Sequence, residues 1–386
     1  MLPRLDTTHL VRPADIPPSR DDFEVIGAFN PGACPAPTPQ HPQRVALLIR
    51  VAERPLETRA NFHASPRYTQ DGTQAIDWID DALVDAADPR KVVFHDGGFK
   101  RLTFTSHLRV AFTYDGNQLD ELGPIVSPVH PTHGLDPLAT FGYEDPRLTP
   151  MQIDGRDTFI ITAVGASEHG VVTRVLRTDD FESFDFVGDP CGCGFCRENK
   201  DVTLFPGRVG PNQNYAAIHR PTGQFSVSPP SMWLADSPDL IHFGNHRPLY
   251  AATFNERFAL PDRWDNRRIG GGAPPVLTEA GWLVLYHGAT PAEPGKPAGT
   301  YAGGAMLLDP DDPSRILSVL PQPFMSPTED FETAGFVNAV VFPTGVCIDD
   351  ERLEVYYGAA DTHVGRASFQ LSAMLDALHM HRRQPC

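Results

Sequence analysis

The segment WLVLYHGA, residues 282–289, is a short apolar run that closes on a histidine and two small residues, and it reads as a β-strand. Four other segments share its look: VALLIRVAE from Val45, TFIITAVGA from Thr158, YAAIHRP from Tyr215 and LEVYYGAAD from Leu353. A second element follows several of them, a strand running into an acidic turn: VLRTDDFESFDF (175–186), MWLADSPDLIHF (232–243) and AMLLDPDDPSRIL (305–317), with RVAFTYDGNQLDEL (109–122) as a looser version. Asp180, Asp239 and Asp312 mark corresponding points, 59 (239 − 180) and 73 (312 − 239) residues apart. Periods of this size with several strands each predict an all-β fold, a five-bladed β-propeller spanning residues 1–386 as one domain. An irregular β-sandwich whose half-buried strands resemble one another is the plainer alternative.

The 39 prolines and 32 glycines cut the chain into short pieces, and sustained helical periodicity is confined to FQLSAMLDALHMHRR, residues 369–383, expected as a C-terminal helix. Residues 1–28 read as an N-terminal arm. Residues 55–101 read as an inter-blade insertion, with one helix expected at AIDWIDDALVDAADP (75–89); loops this long serve as lids, arms or mobile tips.

A chain of 386 residues with 41% hydrophobic content can bury a large core. The net charge of −17, from 49 acidic against 32 basic residues, argues against nucleic acid, whose binding rests on clustered Lys and Arg. No apolar run approaches a membrane span and the first residues lack a signal-peptide core, so no membrane partner and a cytoplasmic location are expected. Six cysteines in a chain this long predict thiols rather than a disulfide framework.

The chemistry concentrates at the strand ends, which a propeller gathers around its central channel. They carry Arg50, Asp145 with Arg147, Lys200 with Asp201, His219 with Arg220, Arg268, His287 and Asp361. In GYEDPRLTP (142–150), Glu144 and Asp145 stand together against a proline and an arginine, an arrangement suited to holding one acid in a fixed pose. Glycoside cleavage needs a carboxylic acid to protonate the departing oxygen. Inversion then needs a nucleophile on the opposite face: water in a hydrolase, phosphate in a phosphorylase. Phosphate requires cations, Arg as a bidentate fork and Lys as a point charge, and the basic set Lys200, Arg220, Arg268 and His287 suits it.

FNPGA at Phe29, LLIR at Leu47, EDPR at Glu144, NKDVTLFP at Asn199, the His-Arg-Pro at His219, IGGGAPPVLTEAGWLVLYHGA at Ile269, DDPSRIL at Asp311, VFPTG at Val341 and YYGAADT at Tyr356 together resemble glycoside hydrolase family 130, in order from about residue 29 to 365. The resemblance implies β-mannoside phosphorylases and β-1,2-mannosidases built as five-bladed propellers. It implies Asp145 as general acid, its proton passing through the 3-hydroxyl of the bound mannose. It implies Lys200, Arg220, Arg268 and His287 as phosphate ligands, and Asn30, Arg50 and Asp361 near the first sugar. Lys200 and Arg268 depart from the pattern, which has arginine and lysine respectively at those two positions; the charge survives although its geometry differs. The resemblance also implies that hydrolases of the family tend to lose this basic cluster and gain carboxylates, so its retention favours phosphorolysis.

Bland roles stand beside these. Asp145 could be a turn residue paired with Arg147; Glu144 could bind sugar or hold Arg147. Lys200 and Arg220 could form a surface charge group with Asp201, and His287 a satisfied core histidine. Cys191, Cys193 and Cys196 in CGCGFC invite zinc, but no fourth ligand is evident nearby and reduced thiols in a loop are expected, with no metal. Trp264 is expected to wall the cleft, and Gly270–Gly272 to let backbone approach a ligand. The expectation is therefore an inverting phosphorolysis of β-1,2- or β-1,4-linked manno-oligosaccharides to α-mannose 1-phosphate. Asp145 would be catalytic, Glu144, Arg147, Asp201 and His219 would join the sugar contacts, and phosphate would be co-substrate without any cofactor. A hydrolytic β-1,2-mannosidase and a non-catalytic sugar-binding propeller are the alternatives, and a homo-oligomer assembled through the insertion is a further expectation.

Overall fold

Apolar strands of 8 to 13 residues dominate the computed structural model, which describes residues 1–188, 195, 198–222, 229–252, 263–296 and 298–382. Among them the α-helices are Asp330–Thr333 and Leu371–Met380, the second within the helix expected at the C-terminus. No helix there is long and apolar enough to cross a membrane.

The strands form antiparallel meanders that follow one another along the chain. The first unit pairs Phe23–Pro35, Val45–Pro55, Thr105–Thr113 and Glu121–Val126; the second pairs Gly142–Ile153, Arg156–Ser167, Gly170–Thr178 and Asp185–Phe186. These two share one eight-stranded sheet through a single parallel pair, Gly142 with Ser106. The third unit is Asn199–Val209, Asn214–Pro221, Met232–Ser237 and Gly244–Tyr250. The fourth is Arg268–Gly271, Gly281–Ala289, Tyr301–Leu308 and Ile316–Val319, with Val276–Thr278 as an extra strand. The fifth is Val341–Asp349, Arg352–Ala359 and His363–Gln370, completed by Asp6–Val11 from the N-terminus. The N-terminal segment is thus a sheet strand rather than an arm, because its backbone groups pair along the open edge of His363–Gln370.

Each of the five recurring apolar segments is the second strand of its unit. These strands are covered on both faces by neighbouring sheets; Gly281–Ala289 is buried at every position, which explains an apolar run without alternation. Gly244–Tyr250, at a sheet edge, has no buried residue. Apolar clusters join consecutive units: Leu48 and Leu108 with Tyr143 and Ile161, Val202 and Ala217 with Ile160, Ile218 with Ile269 and Val284, and Leu285 with Val355. Leu10, Val11 and Tyr356 pack with Ala28, Leu47 and Ile49, joining the fifth unit to the first.

The acidic turns are built by carboxylates capping backbone N–H groups. Asp180 Oδ1 accepts from Glu182 and Ser183, and Asp239 Oδ1 from Ile241 and His242. The equivalent residue in the fourth unit is Asp309, whose carboxylate accepts from the N–H groups of Asp311 and Asp312; the carboxylate of Asp312, the expected counterpart, accepts from Ser314 alone among the described residues.

In the insertion the expected helix at 75–89 is absent. Gln74–Asp80 is a strand paired with Phe62–Tyr68, followed by a single 3₁₀ turn, Asp81–Leu83. Pairing Ala64 with Trp78 and Pro66 with Ile76 gives these side chains partners that an isolated amphipathic helix would lack. A small sheet of Val84–Asp85, Lys91–Phe94 and Lys100–Leu102 follows.

Candidate active site

Three residues in the first strands of successive units share an unusual backbone. Asn30, Asp145 and Asp201 have φ of 49°, 48° and 54°, each at a point where the ladder to the next strand slips register. Asx side chains tolerate this left-handed region better than others, and a bulge of this kind re-aims a side chain out of the strand's alternation. Asp361, with φ of 50°, follows the second strand of the fifth unit.

Around Asp145 the bulges bring distant parts of the chain together. Asn30 Nδ2 donates to its Oδ1 at 2.7 Å and Arg50 Nη1 to the same oxygen at 2.9 Å. Arg50 Nη2 donates to Glu144 Oε1 at 2.7 Å, and Lys200 Nζ to Glu144 Oε2 at 3.3 Å. The Arg50 guanidinium lies over the rings of Phe29 and Phe104. Both protein bonds to the Asp145 carboxyl fall on Oδ1, so among the described residues Oδ2 has no donor. Burial alone would raise the Asp145 pKa, but Arg50, Arg147, Lys200 and the Asn30 bond outweigh it and hold it below the usual value. Asp361 goes the other way. Burial pushes it up to about 6, against Arg50 and Arg90 and helped by Asp145 and Glu144.

A basic nest is linked to this acid through Arg147, whose Nη1 bonds the Asp145 backbone O and whose Nη2 lies 3.4 Å from Asp201 Oδ1. Arg220 Nη1 lies 2.7 Å from Asp201 Oδ2, His287 Nε2 3.3 Å from the same oxygen, and Arg220 Nη1 3.1 Å from His287 Nε2. Arg268 Nη1 donates to Tyr301 Oη at 2.7 Å. Among the described residues Arg220 Nε is buried without a hydrogen-bond partner, a donor left for a ligand. His287 is fully buried, and desolvation lowers it to about 4, so it is neutral at pH 7. Arg50, Arg147, Lys200, Arg220 and Arg268 outnumber the four carboxylates threaded among them, Glu144, Asp145, Asp201 and Asp361, so a chain with a net charge of −17 keeps a locally cationic pocket.

Several expected site residues take other roles. Arg147 spends its donors on protein: Nε on Gly272 O at 3.1 Å, Nη2 on Gly271 O at 3.0 Å and Nη1 on the backbone O of Asp145 at 2.8 Å. It ties the second unit to the fourth, and Glu144 pairs with Arg50 and Lys200 instead of with it. Asp201 is 2% exposed, an acidic hub for Arg147, Arg220 and His287 rather than an open sugar contact. His219 is buried and both ring nitrogens meet protein: Nδ1 meets Asn199 Nδ2 at 2.9 Å, Nε2 meets His246 Nδ1 at 3.1 Å, and burial lowers its pKa to about 3. Trp264 stacks on Tyr286 within an apolar cluster. The Gly270–Gly272 run admits protein: a Cβ on Gly270 would overlap the Asp201 carboxylate and the His287 ring. Cys191, Cys193 and Cys196 lie outside the described residues; the described Cys34 and Cys347 are buried free thiols.

Arg90, absent from the expected site, comes in from the insertion with Nη1 4.0 Å from Asp361 Oδ2. Its sequence signal is the tripeptide Asp-Pro-Arg, which occurs at 88–90 as well as at 145–147.

The family model described as β-1,4-mannooligosaccharide phosphorylase matches residues 128–380. A β-1,2-mannobiose phosphorylase of Listeria innocua is 35% identical, covering 98% of this chain and 99% of that protein. A 1,2-β-oligomannan phosphorylase of Thermoanaerobacter sp. is 32% identical over 60% of this chain and 69% of its own. The solved complex of the Listeria innocua β-1,2-mannobiose phosphorylase with β-1,2-mannobiose superposes with a TM-score of 0.83 at 34% identity, covering 96% of this chain and 97% of that one. The chain belongs to glycoside hydrolase family 130.

Proposed function

We propose that the protein is an inverting β-mannoside phosphorylase that acts on β-1,2-linked mannose and releases α-mannose 1-phosphate. The observation that carries this is the adjacency of one anchored aspartate, Asp145, to a cationic nest of Lys200, Arg220 and Arg268 backed by neutral His287. Relatives named for β-1,2-mannobiose and 1,2-β-oligomannan support the linkage. We read the five meanders as blades of one propeller whose first strands surround the pocket, with the cluster of Leu10, Val11, Ala28 and Tyr356 supporting closure of the ring.

In this scheme Asp145 delivers a proton to the departing oxygen, and phosphate, held by Lys200, Arg220 and Arg268, attacks the anomeric carbon from the opposite face. The C–O bond to the leaving sugar breaks as the C–O bond to phosphate forms, so the anomeric configuration inverts. The unliganded Asp145 favours the ionised form, and ligand binding supplies the correction. Sugar deepens its burial and the phosphate charge offsets the nearby cations, both in the direction that returns its proton.

The test incubates the protein with β-1,2-mannobiose, with and without phosphate. Phosphate-dependent α-mannose 1-phosphate is expected; equal release of free mannose in both would mean water is the nucleophile. Asp145→Asn is expected to lower turnover by at least about 100-fold with Tm preserved, whereas a protein that only binds sugar would show no turnover to lose.

A further inference from the structure

The insertion does more than decorate the first unit. Thr103 binds its Pro89–Arg90 corner twice, N to Arg90 O at 3.2 Å and Oγ1 to Pro89 O at 2.6 Å. Thr103 directly precedes Phe104, one of the two rings under Arg50, and Leu102 packs with Phe29 and Phe104. The corner is therefore fastened to the wall of the Asp145 pocket.

Within that corner Asp88 aims Arg90. Asp88 Oδ1 accepts from Arg90 N at 3.1 Å and from Nε at 2.9 Å, and Oδ2 accepts from Nη2 at 3.0 Å. This is the bidentate fork that fixes a guanidinium plane, and among the described residues it leaves Nη1 as the nitrogen without a hydrogen bond. Nη1 stands 4.0 Å from Asp361 Oδ2, too far for a direct hydrogen bond. A hydroxyl oxygen about 2.8 Å from each atom bridges that gap, accepting from the arginine and donating to the carboxylate.

We propose that Arg90, oriented by Asp88, forms with Asp361 a two-sided clamp on one hydroxyl of the bound mannoside, which makes the insertion a specificity element of the active site. The proposal rests on the mannoside reading for the identity of the ligand, not for the geometry. A clamp of this kind rejects a sugar that lacks the hydroxyl, because the arginine and the carboxylate would then be left facing each other without a mediator.

The experiment measures KM for β-1,2-mannobiose and for phosphate separately in Arg90→Met, Arg90→Lys, Asp88→Asn and the exposed control Lys100→Ala. Arg90→Met is expected to raise the mannobiose KM about 10- to 100-fold, the loss of one hydrogen bond to a charged group, with the phosphate KM within about two-fold. Arg90→Lys restores part of the loss, Asp88→Asn falls between, and Lys100→Ala matches the parent. Tm is followed for each variant, and Arg90→Lys keeps the proposal testable should Arg90→Met unfold. An unchanged mannobiose KM in Arg90→Met, or equal rises for both substrates, overturns it. Should the parent show no phosphate-dependent turnover, the phosphorylase reading falls by itself. Calorimetric binding of β-1,2-mannobiose then decides the clamp: weaker binding in Arg90→Met upholds it, and equal binding overturns it.

Discussion

Asp361 holds its proton to a higher pH than an exposed aspartate would, and that has a consequence for stability. With its native pKa raised to about 6 from an ordinary 3.8, chiefly by burial, the folded chain binds more protons than the unfolded chain between these values. Its contribution is fully present below about pH 4 and lost as pH rises through about 6. Asp361→Asn, which keeps an Asx residue at a left-handed φ, is expected to abolish that slope and to stabilise the unliganded protein at pH 7 by about 1–3 kcal/mol. Urea midpoints from pH 4 to 8 check it; a parent and variant with parallel profiles would show that the carboxyl titrates normally. Arg147 teaches a different lesson at this scale. Its motif neighbour, Asp145, suggested a substrate contact, yet adjacency in sequence said nothing of the Gly271 and Gly272 carbonyls that take its donors.

The bulged first strands are the elements that make the site. A regular strand would send alternate side chains into the sheet interfaces; the slips at Asn30, Asp145 and Asp201 break that alternation where the acid and its partners are needed. The fourth unit answers with glycine. Because Gly270 abuts the Asp201 carboxylate and has the ring of His287 2.5 Å from where its Cβ would stand, Gly270→Ala must push the basic nest aside. The expected result is a phosphate KM raised about 10-fold and a stability loss of about 1–3 kcal/mol, the usual cost of overpacking. Initial rates against phosphate and a thermal melt measure both; an unaltered phosphate KM would place the nest away from the phosphate. Residues 75–89 carry a helical period in Ile76, Ile79 and Leu83, at i, i+3 and i+7, while Ile76 and Trp78 share one face of the strand that forms instead.

Across the whole molecule, the ends of the chain meet in one sheet. Asp6–Val11 pairs with His363–Gln370, and Leu10 and Val11, 3% and 0% exposed, fill the cluster between the fifth unit and the first. Deleting residues 1–12 removes both side chains and the edge pairing, and is expected to cost about 3–6 kcal/mol at about 1.5–3 kcal/mol per buried side chain. Chemical denaturation reads the loss directly, and an unchanged midpoint would mean that the sheet closes without this strand.

The recurring apolar strands and the Asp-Pro-Arg, Asn-Lys-Asp and Gly-Gly-Gly motifs were legible in the amino-acid sequence alone, because doubly covered strands must be continuously apolar and a positioned acid needs fixed local neighbours. Direction and partnership were not. Whether Arg147 or Arg90 reaches the pocket, and whether His219 turns to a sugar or to His246, depends on register slips and on contacts between residues distant in sequence, 27 positions apart for His219 and His246 and more than a hundred for Arg147 with Gly272 and Arg90 with Asp361. The tertiary structure decided these, since a bulge reverses the face a side chain occupies while leaving the residue order untouched.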